Sequence, residues 1–225
     1  MSDELLKAPS PRSRNVAGIS FSFAFGSALC LLALHFLSPE LDPSWHMVSE
    51  YAYGSHGGVL SAFFFCWGLA SITSSVALFP LGTRWWHSLG AVLVLLSGVG
   101  AIAGGLFDVR HPLHGLAFAL GVPTLPIGAL LLSGHVAKYA PTFRTALRIS
   151  AHITWLSIIA MGAAMALFIS SLQAAGAFHP ESHQVLEALP AGVTSIVGYA
   201  NRFLVLAYLT WLSLAGLAIR STRTR

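Results

Sequence analysis

Charge is the scarcest commodity in this chain. Twelve Lys and Arg and eight Asp and Glu make up 9% of 225 residues, whereas a soluble domain is about a quarter charged. So few charges cannot cover a water-facing surface. A soluble fold is therefore excluded, and with it any separate soluble domain in a chain of this length. Cysteine is almost as rare. Cys30 and Cys66 are the only two, both within apolar runs where a thiol acts as a small hydrophobe, so a disulfide framework is not expected. No A-x-A-like cleavage site follows the first apolar run, which is read as a retained span and not a signal peptide.

What remains is apolar: 55% hydrophobic residues and a mean hydropathy of +0.72. Runs long enough to cross a bilayer as helices fall at about 16–37, 59–81, 87–107, 113–136, 147–172 and 193–219. Barrel strands would instead alternate in segments of about ten residues. The fold class is all-α, a polytopic bundle of six transmembrane helices spanning 16–219. A disordered tail (1–15) precedes it and a basic tail (220–225) follows. Gly98, Gly100, Gly104 and Gly105 in the third run permit close helix packing. Pro123 and Pro126 in the fourth predict a kink, for packing or for opening a cavity.

Basic residues orient the bundle. Ten of the twelve lie at the chain ends or in the second–third and fourth–fifth loops, leaving Arg110 and Arg202. The positive-inside bias places both termini in the cytoplasm of a cell membrane. The high pI is then a topology signal calling for membrane lipid as partner and for no nucleic acid. Glu40, Asp42, Glu50, Asp108, Glu181 and Glu187 gather on the opposite side, with six of the ten histidines.

Three outer loops thus hold most of the groups able to do chemistry. In LDPSWHMVSEYAYGSHGG (41–58), Ser49 and Glu50 suit a helix N-terminus, where a hydroxyl caps free N–H groups and a carboxylate meets the dipole. The same loop offers Glu50 as an acid or base, Ser49 as a nucleophile beside His46 or His56, and His46 and Tyr51 as ligand contacts. In LFDVRHPLHG (106–115), Asp108 and His114 flank a short turn, close enough for an acid–base pair; the alternative is an ion pair of Asp108 with Arg110 or Arg202. In FHPESHQVLE (178–187), His179 and His183 share a helical face, and with His111 and His114 they could hold zinc. In GYANRFLV, Arg202 and Asn201 lie just inside the sixth run, where an arginine snorkels outward or pairs with Asp108 or Glu50.

SEYAYG (49–54), GGLFD (104–108) and HGLAFALG (114–121) are similar to the motifs of a prokaryotic six-span membrane family, domain of unknown function nine-nine-eight. The resemblance runs from about residue 16 onward. It singles out Ser49, Glu50, Tyr51, Asp108 and His114, and implies a six-helix bundle with no established activity. The family often has a proline after the third-span Phe, whereas Phe107 here runs directly into Asp108.

Three functions stay open from these residues. One is a hydrolase or transferase acting on a lipid headgroup through Asp108, His114, Glu50 and Ser49. The others are a proton- or ion-coupled transporter and a non-catalytic sensor or partner subunit.

Overall fold

The computed structural model describes residues 8–178 and 188–222. Its helices are α1 (Pro11–Leu37), α2 (Gly57–Leu78), α3 (Trp85–Leu106), α4 (His114–Gly121), α5 (Thr124–Tyr139), α6 (Arg144–Ala174) and α7 (Val197–Arg220). With α4 and α5 taken as one broken span, six segments are long and apolar enough to cross a membrane, and the described residues contain no strand. In hydrocarbon each backbone N–H and C=O must find its partner within the segment, and a helix does this. Leu32, Phe36, Trp85 and Leu116 point outward as a lipid-facing surface requires.

The spans close into a ring: α1 packs on α2 and α7, α2 on α3, α3 on α4 and α5, α5 on α6, and α6 on α7. The last helix is the most enclosed and α6 the least. Arg14 donates to the Thr222 carbonyl at 3.0 Å, which brings the two chain ends together at one face of the bundle. The α1–α2 and α3–α4 connections, the end of α6 and the start of α7 lie at the other face, called here the loop end.

Serines hold the spans together. Ser20 donates to the Ala70 carbonyl (2.8 Å), Ser27 to Phe63 (3.0 Å) and Ser75 to Ala91 (2.7 Å), each bridging two helices where no water competes. At Gly100 the α3 and α4 backbones touch: a Cβ there would stand 2.4 Å from Gly121 Cα. The third-run glycine spacing therefore serves packing. The expected kink is present too, as the break between α4 and α5. Pro126 has no N–H for the Val122 carbonyl; Tyr208 supplies an O–H instead (2.7 Å), and the Ser97 hydroxyl donates to the neighbouring Gly121 carbonyl (2.7 Å). Protein donors from α7 and α3 occupy these carbonyls, so the break locks α4 to its neighbours.

Candidate functional site

The first loop returns deep into the loop end. Leu41, Trp45, His46, Val48 and Tyr51 are all buried, and a 3-10 turn, Val48–Tyr53, carries Ser49 and Glu50. Two features of α7 hold this loop down. The loop backbone lies against Gly198, where a Cβ would meet the Pro43 and His46 carbonyls at 2.5 Å, and Gly198 N–H donates to Ser44 O at 3.0 Å. Only glycine admits such an approach.

The second feature is Arg202, 7% exposed. Its Nε–H donates to His35 Nε2 (2.8 Å). Nη1 donates to the carbonyls of His46 (2.6 Å), Gly198 (3.0 Å) and Pro43 (3.2 Å), and Nη2 to the Tyr51 hydroxyl (2.9 Å). Every one of these acceptors is neutral. His35 Nδ1 faces the Leu31 carbonyl at 2.7 Å, which can only accept, so Nδ1 carries the proton and Nε2 offers its lone pair to Arg202. The buried cation is thus solvated by a cage of neutral acceptors, with the planar fork of the guanidinium matching their spread.

The carboxylates are engaged elsewhere. Asp108 forms an ion pair with Arg110, its neighbour in the turn, and this is the only ion pair among the described residues. Both side chains are well exposed, and the hydrogen bonds from Arg110 hold the Asp108 carboxyl below its usual range. Glu50 accepts the Met47 N–H at the head of the 3-10 turn, the N-terminal place expected of its carboxylate, although the group expected to cap there was the Ser49 hydroxyl. Burial pushes the Glu50 carboxyl above its usual range, only partly opposed by that hydrogen bond and the Arg202 charge.

A cavity of about 70 Å³ opens between the 3-10 turn, α2, α3, α4 and α7. Its polar lining consists of Ser49, His114 and Asn201; Trp67, Phe63, Phe64, Phe118 and the faces of Gly100 and Gly104 form much of the rest. Asn201 Oδ1 accepts the Val48 N–H (2.8 Å), fixing the turn that brings Ser49 to the cavity. His114 Nδ1 faces the Phe107 carbonyl at 2.8 Å, so it bears the proton and leaves Nε2 with a free lone pair when the ring is neutral. Trp67, 5% exposed, has an Nε1–H with no hydrogen-bond partner. One turn further along α2, fully buried Ser71 has an unpartnered Oγ as well.

Of the residues singled out in the sequence, Ser49, His114 and Asn201 line this cavity; Glu50, Tyr51, His46, Asp108 and Arg202 do not. Tyr51 and Arg202 belong to the cage behind it. The His46 ring is buried against Trp45, centroids 3.6 Å apart. His111 Nδ1 accepts the Leu113 N–H in the exposed turn (3.1 Å). His179 and His183 lie outside the described residues. Among the described residues no three His, Cys, Asp or Glu side chains gather in a way that could hold a metal ion. Trp67 was passed over as one more apolar residue of a span. Its signal was the indole N–H, a donor that hydrocarbon cannot satisfy.

A family model described as "Protein of unknown function (DUF998)" matches residues 23–218. No curated protein and no solved structure matches the chain.

Proposed function

The chain belongs to the DUF998 family of membrane proteins of unknown function, and from that premise we propose that it binds a small amphiphile drawn from the bilayer into the cavity at the loop end. The observation that carries this reading is the cavity itself, walled by the rings of Trp67, Phe63, Phe64 and Phe118 and carrying Ser49, Asn201 and His114 as its polar part. The Trp67 indole N–H is buried and unpaired beside this space, at a cost of about 1–3 kcal/mol, and a shift of the ring that brings it to an acceptor on a bound molecule would remove that cost. The aromatic and glycine lining suits a slender apolar segment, and Ser49, Asn201 and His114 suit a polar end.

The test is native mass spectrometry of the full chain from mild detergent, with extraction and identification of what co-purifies. A small amphiphile at near-stoichiometric level is expected, reduced severalfold in Trp67→Phe and in Gly104→Leu, which fills the cavity. Equal recovery from all three proteins would refute the reading.

Ser49 and His114 on one cavity also favour a reaction, acyl transfer from a lipid ester. Ser49 Oγ would attack the ester carbonyl while His114 Nε2 takes its proton. That proton then passes to the departing alcohol, and water releases the acyl group from Ser49. Asp108 has no part in this reading, because Arg110 engages it. A fluorophosphonate probe should label Ser49, and lose that labelling in His114→Gln. An unlabelled wild-type protein leaves binding alone.

A further inference from the structure

A second, larger recess lies on the flank of the bundle, running from the end where the chain termini meet. Arg14 of α1 and Arg220 of α7 stand at its head; Gly18, Ser22 and Gly26 form its floor as it runs toward Cys66 of α2, enclosing about 600 Å³. The floor residues are four apart and so share one face of α1 over about 12 Å of helix rise. None of the described residues fills the trough: the nearest neighbour of a Gly26 Cβ would be Cys66 Sγ, at an ordinary 3.6 Å. Arg220 lays its stem across Gly18, its Cδ 3.3 Å from the position of a Cβ. Arg14 gives one hydrogen bond, to Thr222 O, and keeps its other donors. Among the described residues no acidic side chain lines the recess and neither arginine is in an ion pair. At the same end Trp85 is 72% exposed, and the Arg84 guanidinium lies 4.7 Å from the Trp86 ring, marking the headgroup level.

We infer that this recess holds one anionic phospholipid, its phosphate between Arg14 and Arg220 and one acyl chain along Gly18, Ser22 and Gly26. Lipid tails coat any apolar flank; two unpaired guanidinium groups at the head of a trough select for negative charge and fix the position. A second copy of the chain is a poorer occupant. Packing α1 against α1 side by side would set four arginines together with no acid among the residues lining the recess. The site is distinct from the loop-end cavity, so it stands or falls separately from the amphiphile reading.

The experiment is native mass spectrometry of the full chain titrated with phosphatidylglycerol or with phosphatidylcholine of the same acyl composition. One phosphatidylglycerol should be retained at least tenfold more strongly. The double variant Arg14→Gln/Arg220→Gln should lose that preference, at least tenfold and at roughly fivefold per arginine about 25-fold, so that the two lipids bind it about equally. Gly26→Leu keeps both charges and blocks the trough, and should also lower retention; Arg12→Gln, exposed and outside the recess, should not. Far-UV circular dichroism of each variant verifies that the bundle is intact. Equal retention of the two lipids, an unaffected double variant, a silent Gly26→Leu, or displacement of the lipid by glycerol phosphate alone at equal concentration would each overturn the inference. So would a dimer that forms in place of the lipid adduct.

Discussion

Replacing Arg202 should reveal whether its charge or its shape holds the loop end together. In Arg202→Met the His46 and Pro43 carbonyls and His35 Nε2 lose their arginine donor at once. Gly198 O, by contrast, keeps its place in the α7 ladder. The first three and the Tyr51 hydroxyl, left without that donor, cost about 1–3 kcal/mol each. Relief from burying a cation returns part of that. The net loss should be about 2–4 kcal/mol. Arg202→Lys is the informative partner. An ammonium keeps the charge and its desolvation cost, yet one nitrogen cannot span from His35 on one side to Tyr51 on the other. Because every acceptor is neutral, the charge has no ion-pair partner among them to be preserved for, and Lys should be no better than Met. The assay is equilibrium unfolding in mixed micelles with rising dodecyl sulfate, followed by far-UV circular dichroism. Hydrogen exchange over residues 41–47 should show the loop opening first. If Arg202→Lys unfolded within about 0.5 kcal/mol of wild type, charge alone would be enough and the argument from geometry would fail.

Three further outcomes are expected. Asp108→Asn removes an exposed ion pair worth at most about 1 kcal/mol and should shift unfolding by less than that, a fraction of the Arg202→Met effect; a loss above 2 kcal/mol would mean that Asp108 has a buried partner. Glu50 has its folded-state value raised above the ordinary 4.5, so the folded protein holds the extra proton between those two values, and stability from this group falls as pH rises through the window. A pH series of micelle unfolding should show that decline and show it flattened in Glu50→Gln, whereas a steeper decline in the variant contradicts the assignment. Gly198→Ala forces a Cβ against two carbonyl oxygens and should cost about 1–3 kcal/mol, with increased proteolysis of the first loop; wild-type stability would show that the loop can retreat without loss.

The sequence was most informative where one physical requirement acts on each stretch of residues separately. A bilayer demands about twenty apolar residues in a helix, and each span satisfies that by itself, so six spans could be read without knowing any neighbour. The prolines of the fourth run announced the break between α4 and α5 by the same local logic, since a missing N–H frees a carbonyl wherever the helix lies. A helix N-terminus at Ser49 and Glu50 was legible because the partner, the Met47 N–H, is only three residues from Glu50, but that the carboxylate and not the Ser49 hydroxyl takes it was not. Tertiary structure decided everything that depends on which residues meet. The Asp108 and Arg202 charges, candidates for one ion pair, stand apart because the turn closes Asp108 onto Arg110 while the first loop folds back over Arg202. His35, isolated in the sequence, became a ligand of that arginine from 167 positions away. Trp67 emerged as a cavity residue only once α3, α4 and α7 left space beside it. Membership of the bilayer is a property of composition and is additive along the chain; a cavity is the space left among side chains of distant segments, and no single segment encodes it.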